Sequence, residues 1–209
     1  MFRFNPPRDP SEEKRVHFEN RIQPFLTPRK FEIVMTAYVF SKYGHEGQFR
    51  DGGERYFNHP RAVALILIEE LNLIIVEMLV EALLHDVRED AYLLSPHRIF
   101  VNFGEKVMIA INLLTKDKNN DQPYLERLVQ KGDWQVLCVK CADRLHNLRT
   151  LGGCSEEKQR KQVQETREKY PPVLERLEEL LPRSKKYVAA YLSEQIFGLC
   201  DEYEKSWAA

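Results

Sequence analysis

No stretch of this chain alternates apolar and polar residues in the period of a half-buried strand. Its apolar residues recur instead at three- and four-residue spacing almost from end to end. That pattern leaves helices packed on helices as the architecture. Proline and glycine mark where the helices start and stop. Residues 11–27 read as a first helix, entered at Ser11 with Glu12 and Glu13 in its first turn. Thr27 and Pro28 read as the N-cap and first helical position of a second, which Gly44 and Gly47 close. QFRDGGERYFNHP, with two adjacent glycines, reads as a loop; a helix begins near Pro60 and another covers about 74–88. Ser95 and Pro96 open SPHRIFVNFG, which stops at Gly104. EKVMIAINLLTK, YLERLVQKG and WQVLCVKCADRLHNLRTL follow as helices, with the polar turn KDKNNDQP at 116–123 between the first two. A charged helix runs from Ser155 toward Leu181, broken at Pro171–Pro172, and a last one fills 184–206. The expected fold is all-α, a bundle of about eight to ten helices. It is read as one domain over 1–209, with its core at about 28–154 and 155–209 packed on that core.

Charge excludes some functions and permits others. The formal net charge is -1, from 31 basic and 32 acidic residues, so no overall field draws the chain to nucleic acid or to an anionic membrane. The longest apolar run, LNLIIVEMLVEALL, is cut by Glu77 and Glu81 and is too short to span a bilayer. The first residues, MFRFNPPRDPSEEKR, are charged and proline-rich, unlike a signal peptide. Cys138 and Cys141 form a lone C-x-x-C inside an apolar helical run, which reads as two buried thiols rather than a zinc site. A reducing cytoplasm is the expected compartment.

The residues that carry chemistry are His59 in FNHPRAVA, the adjacent pair His85–Asp86 in ALLHDVRED, and Asp143 in KCADRLHNL. Imidazole and carboxylate together suit a borderline-hard divalent ion such as manganese, iron or zinc better than calcium. Neighbouring helical residues lie about 100° apart, so His85 and Asp86 can both reach one ion near a helix end. Glu89 and Asp90 follow them by four residues each, which on a helix sets two further carboxylates on the same faces. Carboxylates so placed can take a proton from an attacking water or hold that water in line. Taken alone, HDVRED reads more readily as a solvated helix end than as a metal site.

The spread H…HD…D resembles the HD superfamily of metal-dependent phosphohydrolases. HEGQFRDGGERYFNHP resembles the H-x-G-Q-x-R-x-x-G-x-x-Y-x-x-H-P pattern that opens the hydrolase domain of RelA/SpoT-type alarmone enzymes. ALLHDVRED, FGEKVMIAINLLTK and VKCADRLHNLRTL are similar to its later motifs, and together they cover residues 36–151. The resemblance implies a helical hydrolase with one manganese ion that removes the 3′-pyrophosphate of guanosine tetra- and pentaphosphate. It implies His59, His85, Asp86 and Asp143 as metal ligands and Glu89 and Asp90 as the residues that activate and orient water. It implies Arg50 against the nucleotide base, Lys116 near the phosphates, and Asn147 near ribose and metal. His45, His146 and Tyr56 are expected to pack or to support. Two positions depart from the pattern: many members carry a second basic residue where Asp51 stands, and Arg88 replaces a small or apolar residue. The resemblance fades after Leu151, and no synthetase motif is seen, so a stand-alone small alarmone hydrolase is expected. Alternative readings are a hydrolase of an adenosine alarmone or of the phosphate on NADPH, or a nucleotide-binding protein without turnover.

Overall fold

The computed structural model describes residues 14–87, 95–116 and 123–208. Ten α-helices lie among them, and no β-strand longer than a single bridge. They are α1 (Lys14–Ile22), α2 (Pro28–Gly44), α3 (Asn58–Leu65), α4 (Val76–Leu84), α5 (Pro96–Leu114), α6 (Tyr124–Lys131), α7 (Trp134–Arg149), α8 (Glu156–Lys169), α9 (Pro171–Leu180) and α10 (Tyr187–Ala208). The all-α expectation holds.

Local chemistry explains most boundaries. Thr27 is extended and Pro28 opens α2, as the sequence predicts. Ser95 caps α5 by accepting from the Arg98 amide, and Asp133 caps α7 by accepting from the amides of Gln135 and Val136. Gly104 sits inside α5 at φ 88 and ψ 173, a conformation closed to other residues, so α5 breaks into two pieces where the sequence ends one helix and starts the next. The first helix is shorter than expected. Pro24, placed inside it by the sequence reading, lies instead in a 3₁₀ turn, Gln23–Phe25, because its ring cannot continue an α-helix. Ser11, Glu12 and Glu13 lie outside the described residues. A π turn, Ile66–Glu70, extends α3 and was not foreseen.

Helices α4 and α7 form the centre. Every residue from Met78 to Leu84 is buried, as are Val136 to Leu145 of α7. A helix apolar on all sides must be surrounded. Accordingly α4 packs on α2, α3, α5 and α7, while α7 also packs on α3, α9 and α10. Cys138 and Cys141 are free and buried in this core, and burial pushes the Cys141 thiol up to about 12. Neither is set up as a ligand or a nucleophile. The seam where α3, α4 and α7 meet brings together the residues singled out in the sequence.

Candidate metal centre

His59 stands in the first turn of α3, His85 and Asp86 follow the last residue of α4, and Asp143 is on α7. These four, distant in the chain, converge. His59 Nε2 lies 3.2 Å from His85 Nε2, 3.4 Å from Asp86 Oδ2 and 3.1 Å from Asp143 Oδ1. His85 Nε2 lies 3.2 Å from Asp86 Oδ2 and 3.7 Å from Asp143 Oδ1. His59, His85 and Asp86 form a group whose ligand atoms all lie within 4.8 Å of one another. His59, His85 and Asp143 are buried.

The donor set fits a divalent cation. The other ring nitrogen of each histidine is already committed. His85 Nδ1 donates to the Ala82 carbonyl at 2.8 Å, an oxygen left open by the end of α4. Arg50 has no acceptor, so its 3.3 Å contact with His146 Nδ1 makes that nitrogen an acceptor. His59 Nδ1, 2.8 Å from the same nitrogen, must therefore donate to it. Both Nε2 lone pairs then face Asp86 Oδ2 and Asp143 Oδ1, so two imidazole nitrogens and two carboxylate oxygens converge. At metal–ligand bonds of about 2.1 Å, ligands stand roughly 3.0–3.4 Å apart in octahedral or tetrahedral arrangement, close to the separations found. The two carboxylates draw positive charge to this spot, and without a metal a proton on His85 supplies it. Burial pushes the His85 imidazole down, but Asp86 and Asp143 outweigh it and raise the group to about 10. Burial opposes the charge on Asp86, yet His85 and His59 hold it well below the usual range. Lys140, with the two histidines, does the same for Asp143.

Side chains around the four fix their positions. Tyr56 donates to Asp86 Oδ2 at 2.9 Å. Lys140 donates to Asp143 Oδ2 at 2.7 Å, and Asn147 Nδ2 donates to Asp143 Oδ1 at 2.6 Å. The Asn147 Oδ1 accepts from Arg50 at 2.5 Å, and Arg50 also donates to Thr150 Oγ1 at 3.0 Å. Arg50 reaches α7 because its loop is folded back by an antiparallel bridge between Phe49 and Arg55, with Gly53 at φ 82 in the turn. His146 is neutral: burial, then His59 and Arg50, push it well down.

Three of the four, His59, Asp86 and Asp143, line a cleft of about 300 Å³. Arg50, Lys116 and Asn147 line it as well. Lys116 is exposed, just past the C-terminus of α5, with its ammonium 5.9 Å from the Tyr124 ring. Glu89, Asp90 and Arg88 lie outside the described residues. The sequence reading gave no role to Lys140, although its three-residue spacing from Asp143 puts the two on one helix face. Tyr56, expected only to pack, has a polar contact that no local pattern shows.

With an all-helical fold and a His–Asp cluster in this order, the chain belongs to the HD domain family, which residues 37–178 match. The match continues past Leu151, where the motif resemblance fades, through α8 and most of α9. The chain is 36% identical over 166 residues to the bifunctional (p)ppGpp synthase/hydrolase SpoT of Escherichia coli K12, a match covering 75% of this chain and 23% of that protein. It is 37% identical over 166 residues to the guanosine-3′,5′-bis(diphosphate) 3′-pyrophosphohydrolase of Vibrio cholerae, covering 74% of this chain and 23% of that protein. The chain thus matches less than a quarter of the length of these relatives. A solved structure of a metazoan ortholog of SpoT, described as hydrolysing ppGpp and acting in starvation responses, superposes with a TM-score of 0.62 at 24% identity, covering 78% of this chain and 94% of that one. No helix among the described residues is long and apolar enough to cross a membrane.

Proposed function

We propose that this chain is a metal-dependent hydrolase that removes the 3′-pyrophosphate of guanosine tetra- and pentaphosphate, leaving GDP or GTP. The observation that carries the reading is the convergence of His59, His85, Asp86 and Asp143 at a cleft that Arg50, Lys116 and Asn147 also line. The names of its relatives supply the substrate. In this reading His59, His85, Asp86 and Asp143 hold one manganese ion. The ion supplies Lewis acidity at the phosphoryl group and lowers the pKa of water.

The protein's own groups do the rest. Tyr56, Lys140 and His146 hold the ligands in place, so little reorganisation accompanies the reaction. Glu89 takes the proton of the attacking water and Asp90 orients it. The hydrogen bonds of Arg50 lie in the plane of its guanidinium, which leaves a planar face for a purine to stack on. Asn147 links Arg50 to Asp143 and so sets the base site at a fixed distance from the reacting phosphorus. Lys116 meets the phosphates. We take the ten helices as one hydrolase domain, because α8 to α10 complete the packing around α7.

A panel of ppGpp, pppGpp, ppApp, NADPH and ordinary dNTPs, assayed with Mn²⁺, tests the reading. The guanosine alarmones should be turned over fastest; preference for any other member contradicts the assignment.

A further inference from the structure

The loop that presents Arg50 also meets α8. Asp51 Oδ2 accepts a 2.5 Å bond from Lys158 Nζ, across 107 residues of chain, and both residues line the cleft. The same seam is closed by backbone: a Cβ on Gly153 would stand 3.2 Å from the Gly52 Cα. Among the described residues, four lysine or arginine ion pairs border the cleft, and they differ in burial. Side-chain exposures are 10% and 5% for Lys140–Asp143, 7% and 30% for Arg144–Glu165, and 19% and 35% for Arg50–Glu54. For Lys158–Asp51 they are 48% and 57%.

Burial determines what each pair can do. Lys140 is held against a buried metal-facing carboxylate, and Arg144 is fixed between Glu165, Gln162 and the Tyr170 ring. An exposed pair such as Lys158–Asp51 contributes little to stability. The loop does not depend on it, because Arg50 already fastens that segment to His146, Asn147 and Thr150. Of these four cations, Lys158 is therefore the one whose partner is exchanged at least cost. It stands at the open rim, whereas His59, His85 and Asp143 are buried. A nucleotide whose 3′-pyrophosphate reaches the His–Asp cluster must leave its second phosphate chain nearer the rim.

We propose that Lys158 is a specificity-determining residue that exchanges Asp51 for the 5′-phosphates of the substrate. Asp51 presents the lysine to the cleft and competes with the substrate for it. Helix α8 thereby brings a positive charge to the rim, together with a counter-charge that weakens the grip on any anion too small to displace it. This inference rests on the 3′-pyrophosphohydrolase reading.

Steady-state kinetics of the 209-residue chain with Mn²⁺ test it, because two variants break the same ion pair with opposite consequences. Lys158→Gln removes the cation and should raise KM for ppGpp roughly tenfold, as loss of one charge-assisted bond would. Asp51→Asn removes the competitor and should lower that KM several-fold. In both variants kcat should stay within about twofold, since neither residue meets the reacting phosphorus. The Lys158→Gln effect should be larger for pppGpp than for ppGpp, and Lys158→Arg should restore most of the affinity. A shift of KM in the same direction in both variants marks a pair that merely fastens the loop, and overturns the proposal. An unchanged KM in Lys158→Gln also overturns it. Failure of the wild-type chain to hydrolyse ppGpp is a different result: it overturns the proposed function itself.

Discussion

His59 Nδ1 lies 2.8 Å from His146 Nδ1, and that contact decides which face of His59 is open to a metal. His146 accepts at this nitrogen, so His59 carries its proton on Nδ1 and turns the Nε2 lone pair toward His85, Asp86 and Asp143. Replacing His146 by Phe keeps an aromatic ring and removes the acceptor. Manganese affinity should fall by about 10- to 100-fold, the usual effect of losing a partner that orients a ligating histidine. Calorimetric titration with Mn²⁺ measures it; unaltered affinity would show that His146 is only filling space.

The ligand residues themselves should show a steeper effect. His85→Ala and Asp86→Ala should abolish metal-dependent turnover, and full activity in either would remove it from the ligand set. A binding measurement separates lost metal from lost chemistry. At a manganese concentration 100 times its Kd, the wild type should gain about 2.7 kcal/mol of unfolding free energy, and the two variants almost none. Denaturant titrations with and without the ion give both numbers.

Glu89 should separate from the ligands in the same assays. Glu89→Gln cannot accept a proton, so kcat should drop by roughly 10²- to 10⁴-fold, the range expected for a general base. Metal affinity should stay near that of the wild type. A kcat near the wild-type value would dismiss Glu89 as the base.

Glu81, one turn before His85, makes a prediction about stability. Neither of its carboxyl oxygens has a hydrogen-bond partner among the described residues, and the side chain is fully buried in α4. Burial, then Asp133 and Glu77, raise the group from 4.5 to about 8, and Lys106 opposes them only in part. Here the folded value lies above the unfolded one, so the acid is neutral in the fold and ionises first in the unfolded chain. Below pH 4.5 only the cost of burying an unpartnered neutral acid remains; a further penalty grows as pH rises to about 8 and is constant above that. Glu81→Met should therefore stabilise the protein relative to wild type. The difference should widen by about 1.4 kcal/mol per pH unit between those two values. Urea unfolding at pH 5, 6.5 and 8 would detect it, and a difference independent of pH would show that Glu81 ionises normally.

How much of this could be read from the sequence depends on range. Helical periodicity and capping act over a few residues, so Thr27–Pro28, Ser95 and Gly104 marked their boundaries correctly. Pro24 misled only because the apolar pattern runs through it. His59, the His85–Asp86 pair and Asp143 stood out because they fall in three short motifs in or just after core helices, and the structure brings them together. The contacts that support them were not legible. Tyr56 to Asp86, Arg50 to His146 and Asp51 to Lys158 join segments with no shared local pattern, and only the packing of α3, α7 and α8 brings them within reach. Asp51 read as a lost positive charge because its partner lies on another helix.

The most direct test of the account is the identity of the product released from ppGpp with manganese present. A water directed at the 3′-pyrophosphate by a site of this kind should yield GDP and pyrophosphate in equal amounts, with nothing formed when the metal is chelated. Orthophosphate as the released product, or turnover undiminished by chelation, would contradict it.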